Sequence, residues 1–311
     1  MKILLLVGNQ IMDPQELVGK YSGVIAFPVT PFNQDLSLDL KGLRKNLEAL
    51  LEHPICAVIA AGGTGEMYSL TQAEHLQVVQ ATLEVVDGRL PVLTAVGFNQ
   101  QLAIEMAQQS AGAGVDGILA FPPYYPGADD DGLWNYYNSI GSATELGMAI
   151  YARDWAIFSP AMVERLTAIP TLVAWKDGQG DIRRYQMIID RVGDRLHWIG
   201  GAGDDLAPSY YGLGIRTYTS SMANIAPKLS LKIHELASRN DLVPLNELMA
   251  KYVIPHYAVR ARRKGYEVSV VKAQMDILGM AGGPVRPPLV NVTDAEMTEL
   301  RTMVETWGPI L

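Results

Sequence analysis

A chain of 311 residues buries about three quarters of its unfolded surface, and its single cysteine, Cys56, excludes a disulfide framework and a Cys-rich zinc site. The 49% hydrophobic and 19% charged composition is that of a globular protein and excludes a disordered one. The balance of 25 Lys+Arg against 33 Asp+Glu, net −8 with no basic block, excludes nucleic acid as the main partner; a small anionic substrate stays open, because only local charge matters to it.

The N-terminus, Met1-Lys2-Ile3-Leu4-Leu5-Leu6-Val7-Gly8, is apolar but too short for a signal peptide. Residues 1–19 are expected to form an extension, with Met12 an alternative natural start. No stretch approaches the ~18 apolar residues that span a bilayer, so the expectation is a cytoplasmic protein with no membrane partner.

Eight short apolar runs follow: Val24–Phe27, Ile55–Ala61, Val92–Val96, Gly117–Phe121, Met148–Tyr151, Leu172–Trp175, Leu196–Ile199 and Ile215–Thr219. They do not alternate, which suits parallel strands buried on both faces. Cys56, inside the second run, is expected to be a small buried hydrophobe. Helical patterns fill the gaps. Leu40, Leu43, Leu47, Leu50 and Leu51 form one stripe. Thr71-Gln-Ala-Glu74 is a capping box. Ser159-Pro160 is a cap followed by proline at the first helical position, and Asp181 caps a helix carrying Tyr185, Ile188, Ile189 and Val192. Eight strand-helix units with no change of composition predict a (β/α)8 TIM barrel over residues 20–226; a doubly wound sheet is the alternative. From Pro227 to Leu311 only helical patterns appear, which predicts a C-terminal helical region packed on the barrel. Its link Gly282-Gly-Pro-Val-Arg-Pro-Pro288 cannot be helical.

Active sites of such barrels gather at the C-terminal ends of the strands. The second run ends in Gly62-Gly63-Thr64-Gly65-Glu66, where backbone N–H groups and a hydroxyl can hold an anion; a tight turn without a ligand is the plain alternative. The sixth run continues into Lys176-Asp177-Gly178. A lysine that extends a buried strand either pairs with a carboxylate such as Asp177 or loses its charge, and a neutral lysine is a Schiff-base nucleophile. The fifth run ends in Tyr151, one strand away, which is either a proton relay or a buried structural phenol. The five histidines are scattered and suggest no metal site.

Taken together these features resemble the dihydrodipicolinate synthase / N-acetylneuraminate lyase family. The similarity runs from Gly23 onward. It is carried by Pro28-Val-Thr-Pro-Phe32, Gly62–Glu66, Pro122-Pro-Tyr-Tyr125, Tyr151, Lys176-Asp-Gly-Gln-Gly-Asp181 and Gly203-Asp-Asp205. Within the family it is most similar to the branch that dehydrates and decarboxylates keto-deoxy sugar acids. Shared with that branch are Gly265-Tyr-Glu-Val-Ser-Val-Val-Lys272 and Gly283-Pro-Val-Arg-Pro-Pro-Leu289. The synthase and lyase branches place Asn directly after the tyrosine and Arg five residues past it. Here Ala152 and Ala156 stand there, and Arg153 lies two residues past Tyr151.

The resemblance implies that Lys176 forms an imine with a small anionic 2-keto sugar acid, that Tyr151 relays protons, and that Gly63-Thr64 hold the carboxylate beside the keto group. It implies no metal and no nucleotide cofactor. It also implies a homo-oligomer, a tetramer, with Tyr125 at a subunit boundary. A sugar diacid has a second, distal carboxylate, and Arg153 with Ser220 and Ser221 is expected to hold it. Gly203 and Thr219 complete the expected substrate contacts. Two other readings stay open: a retro-aldolase or synthase using the same lysine, and a non-catalytic barrel that binds small acids.

Overall fold

The computed structural model describes residues 12–310. Eight parallel strands form one sheet: β1 Gly23–Ala26, β2 Ala57–Ala60, β3 Val92–Phe98, β4 Gly117–Pro123, β5 Gly147–Ala152, β6 Leu172–Asp177, β7 His197–Ile199 and β8 Thr217–Ser220. Their order is β7-β6-β5-β4-β3-β2-β1-β8. Closure comes from Gly200, just past β7. Its N–H donates to Thr217 O at 3.0 Å and its carbonyl accepts from Thr219 N at 2.8 Å. The sheet is therefore a barrel, and the doubly wound alternative is set aside.

The expected caps are present. Thr71 and Glu74 make the reciprocal capping box of the helix Gln72–Val86. Ser159 caps Pro160–Leu166, and Asp181 caps Ile182–Val192 by accepting from Arg184 N. Nearly every strand residue is buried, as expected where one face meets the barrel interior and the other a ring of helices. Cys56 is half-buried just before β2, where burial pushes its thiol up to about 12.

Two expected boundaries move. The N-terminal extension lies outside the described residues up to position 11, but its remainder is built into the fold. Asp13 caps the helix Pro14–Gly19, and Leu17 is fully buried against Gly117 and Gly147, the first residues of β4 and β5. This helix closes the bottom of the barrel. At the other end, the helix Pro227–Ser238 belongs to the barrel and not to the tail. Leu229 and Ile233 pack into the core with Val24 and Ala26, and Tyr218 Oη donates to Ser230 O at 2.8 Å. The C-terminal region starts after Ser238. It contains a helical stretch from Leu242 to Arg260, the helix Tyr266–Ile277 and the helix Asp294–Glu305, the last opened by the Thr293–Glu296 capping box. The link 282–288 is non-helical, as expected. Among the described residues no helix is long and apolar enough to cross a membrane.

Candidate active site

Period-2 alternation decides which side chains enter the barrel. On β6, Trp175 packs outward on Phe158, with ring centroids 4.9 Å apart, and Lys176 points inward. Asp177 faces outward again. Its carboxylate accepts from Gln179 N at 3.0 Å, Gly180 N at 3.1 Å and Tyr210 Oη at 2.7 Å. Strand geometry thus separates Lys176 from its nearest acid in sequence. No carboxylate pairs with Lys176 among the described residues. Its amine donates to Gly201 O at 2.8 Å and sits 3.2 Å from the centroid of the Tyr151 ring. Only 1% of Lys176 is exposed. Burial, then the charge of Arg153, holds its pKa well below the ordinary lysine value, with Asp177 opposing.

Tyr151 and Lys176 are register partners across β5 and β6. Tyr151 Oη reaches the same Gly201 carbonyl, at 3.4 Å. Burial raises the phenol's pKa, and Arg153 pulls it partly back. Gly201 is a residue that sequence reasoning missed. A Cβ built there would lie 2.6 Å from Lys176 Nζ and 2.4 Å from Asp177 O, so only glycine lets this loop close over the amine.

These groups face a cavity of about 240 Å³. Gly63 and Thr64 line it, as do Gly203, Thr219, Ser221 and Arg153, so the structure gathers most of the expected substrate contacts around Lys176. The turn Gly62–Glu66 is braced from below. Thr30 Oγ1 donates to Gly65 O at 2.7 Å. Glu66 is fully buried and forms an ion pair with Lys272, and it accepts from Arg286 N at 3.1 Å. Both C-terminal sequence motifs therefore converge on this turn.

Two expectations change. Ser220 does not line the cavity. Thr219 points inward, so Ser220, next on the strand, faces the helix layer, where its hydroxyl bonds Asp204, Ser230 and Ala223 N. Arg153 lies beside the Gly63 turn: a Cβ on Gly63 would be 3.1 Å from Arg153 Nη1. Its guanidinium also pairs with Asp154, at 2.7 Å, and lies over the rings of Phe121 and Tyr151. Arg153 thus shares a wall with Gly63 and Thr64 and does not stand with Ser221. Tyr125 is outside the cavity, on an exposed loop after β4 beside Tyr124; they are 73% and 83% exposed.

The cavity also holds side chains that the sequence did not single out: Phe27, Tyr68, Arg260 and Glu267. Arg260 comes from the C-terminal region. This corrects the reading that the chain has no basic block: residues 260–264, Arg260-Ala-Arg-Arg-Lys264, are a local basic cluster in an acidic chain, and Arg260 opens it.

The sequence profile of the Dihydrodipicolinate synthetase family matches residues 20–307. The chain belongs to this family. A relative from Bradyrhizobium sp. (strain ORS 278), named "Probable 5-dehydro-4-deoxyglucarate dehydratase", is 38% identical over 298 residues, covering 94% of this chain and 95% of the relative. One of the same name from Saccharopolyspora erythraea is 39% identical over 288 residues, covering 92% and 93%. Among solved structures, dihydrodipicolinate synthase from Oceanobacillus iheyensis superposes with a TM-score of 0.90 at 28% identity, covering 95% of this chain and 99% of that one.

Proposed function

We propose that this family member is a Schiff-base lyase that converts 5-dehydro-4-deoxy-D-glucarate to 2,5-dioxopentanoate, carbon dioxide and water. The observation that carries the reading is Lys176: a buried amine that no carboxylate pairs with among the described residues, facing a polar cavity beside a phenol and a glycine-threonine turn. The names of the curated relatives support the substrate.

Neutral Lys176 adds through Nζ to the C5 ketone, and loss of water gives an iminium. Gly63, Thr64 and the adjacent Arg153 hold the C6 carboxylate next to it. The iminium acidifies C4. A proton leaves C4, the C3–O bond breaks, and the hydroxyl takes up a proton and departs as water. Tyr151, within reach of the same carbonyl as Lys176, moves protons at these steps. The conjugated iminium then accepts the electron pair of the C1–C2 bond, and C1 leaves as carbon dioxide. Protonation of the dienamine, tautomerisation of the C2 enol to an aldehyde, and hydrolysis of the imine release the five-carbon product.

The same reading includes a homo-oligomer, with a tetramer as the expected form. The exposed aromatic pair Tyr124 and Tyr125 supports a contact there.

The test is product analysis with borohydride trapping. The substrate should yield carbon dioxide and 2,5-dioxopentanoate, and reduction should place a stable adduct on the peptide that carries Lys176. Release of pyruvate would instead identify a retro-aldolase. No turnover and no adduct would leave a binding protein.

A further inference from the structure

Arg260 ends the helix Ile254–Arg260, far beyond the last strand in sequence, yet it lines the Lys176 cavity. Its guanidinium lies over the ring of Tyr257, 4.3 Å from the centroid, and Nη1 donates to Ser221 Oγ at 2.9 Å. Tyr257 is itself fixed, because its hydroxyl accepts from Asp204 N at 2.6 Å and donates to Asp204 Oδ2 at 3.1 Å. The fork is therefore oriented by an aromatic face and a hydroxyl. It lacks an acid. Among the described residues no carboxylate pairs with Arg260, and its buried Nε has no hydrogen-bond partner. Asp204, whose pKa is influenced by Arg260, is already engaged by Ser220 and Tyr257. A buried guanidinium donor without an acceptor is costly to keep and marks a place prepared for one.

Arg153 differs on both counts. It carries its own carboxylate, Asp154, and it stands at the Gly63 turn. The cavity thus has two cationic walls, one made by the loops after β2 and β5, the other by the end of the helix Ile254–Arg260 over the loops after β7 and β8. Lys176 lines the same cavity.

We propose that Arg260 selects a diacid by receiving the distal carboxylate of the keto acid, with Ser221 as a second donor. Ser221 Oγ accepts from Arg260, so its own proton is available to the same carboxylate. The inference rests on the imine reading of Lys176 given above. It moves the far end of the substrate from Arg153 to a residue of the helical region, so that region supplies part of the site as well as its support.

The test uses two dead-end acids of equal length, 2-oxoadipate and 2-oxohexanoate, which differ only in the far carboxylate. Both have a keto group for Lys176, and neither has a leaving hydroxyl. Inhibition constants and borohydride trapping are measured for each. Wild-type protein should prefer the diacid. Arg260→Gln should weaken 2-oxoadipate by about 10–150-fold, the range of a charged hydrogen bond, and leave 2-oxohexanoate unchanged. Arg260→Lys should recover part of the loss. Equal losses on both acids, a loss on neither, or a diacid-selective loss in Arg153→Gln instead would overturn the assignment. Where Arg260→Gln does not fold, Ser221→Ala decides: a smaller diacid-selective loss is expected, and an equal effect on both acids sinks the proposal. If neither acid is trapped at Lys176 in wild-type protein, the imine reading fails as well; trapping of both with equal affinity removes only the role of Arg260.

Discussion

Lys176 Nζ and Tyr151 Oη converge on one acceptor, the carbonyl of Gly201, at 2.8 and 3.4 Å. Their strands hold them in register, and the glycine lets the carbonyl approach both. A shared acceptor ties amine and phenol to the same point of the cavity wall, with the amine over the face of the phenol ring, and among the described residues no carboxylate pairs with the amine. Tyr151→Phe keeps the ring under the amine and removes the hydroxyl. We expect kcat to fall by roughly 10²–10⁴, typical of an acid-base group, with imine trapping at Lys176 still detectable. An unchanged kcat would leave Tyr151 as packing alone.

The depressed pKa of Lys176 has a sign in both activity and stability. Its folded pKa lies below the ordinary value of 10.5, so the folded state releases a proton that the unfolded state keeps. Below the ordinary value this costs stability, and the cost shrinks as pH rises toward it. We therefore expect Lys176→Met to raise the melting temperature at neutral pH by a few degrees while abolishing turnover. The wild-type kcat/KM should fall on the acid side as the amine is protonated, and Lys176→Arg should be inactive at every pH because its guanidinium stays charged. A lower melting temperature for Lys176→Met would show that packing around the amine outweighs its desolvation.

Strands β1 to β6 were legible because they are buried almost throughout and appear as largely apolar runs, whereas β7, His197-Trp-Ile199, and β8, Thr217-Tyr-Thr-Ser220, carry polar residues and stand out mainly by their spacing after the others. Lys176 and Tyr151 were legible for a related reason: each is a polar group at the C-terminal end of such a run. Ser220 was misplaced because the run shows where β8 ends but not which residue faces inward; Thr219 takes the inner face and decides it. The barrel's last helix was assigned to the tail because Pro227–Ser238 has the same helical pattern as the helices after it. Arg260 was missed because the overall balance of net −8, read as leaving no basic block, hides the short cluster Arg260-Ala-Arg-Arg-Lys264. Only the packing of the tail turns Arg260 inward.

Tyr124 and Tyr125 are the most exposed of the large hydrophobic side chains among the described residues, on the loop that leaves β4. Two adjacent aromatics in water favour a partner surface, and aromatic anchors near the centre of an interface carry about 2 kcal/mol or more each. We expect sedimentation to show an oligomer at micromolar concentration, and Tyr125→Ala to weaken the association at least tenfold. A wild-type monomer would return the pair to the role of a cover over the barrel mouth.

Arg286 ties the C-terminal link to the barrel. Its guanidinium donates to both oxygens of Glu74, at 2.6 and 2.9 Å, and to Leu36 O and Ser69 O. The Arg286 hydrogen bond, then the capping bonds of Thr71, lowers Glu74 to about 2. A depressed carboxylate contributes stability above its unfolded value of about 4.3 and loses it as pH falls through the folded value. Stability should therefore decline between about pH 5 and pH 2. Glu74→Gln should flatten that decline and cost about 1–2 kcal/mol at pH 7, because the pair is partly solvated. The urea midpoint measured across this range checks both statements; an identical pH slope in the variant would remove Glu74 from the account.

The Glu66–Lys272 pair gives the sharpest separation of support from chemistry. Both side chains are essentially unexposed, at 0% and 1%, and the lysine also donates to Pro284 O at 2.9 Å and lies 4.2 Å from the Phe32 ring centroid. Burial raises Glu66 and lowers Lys272, and each partner opposes the other's shift. Removing one member leaves a charge buried alone, so Lys272→Met should cost about 3–5 kcal/mol in urea unfolding. Replacing both, Glu66→Gln with Lys272→Met, should recover a large part, because the desolvation cost disappears with the charges. Glu66 ends the turn that carries Gly63 and Thr64, and its backbone sits in the left-handed region at φ 54°. The double variant should therefore fold yet hold the keto-acid carboxylate less well. Its KM should rise more than its kcat falls, and trapping of 2-oxohexanoate at Lys176 should weaken alongside 2-oxoadipate. Additive stability losses in the double-variant cycle would show two independent packing sites, and an unchanged KM would show that the turn keeps its shape without the ion pair beneath it.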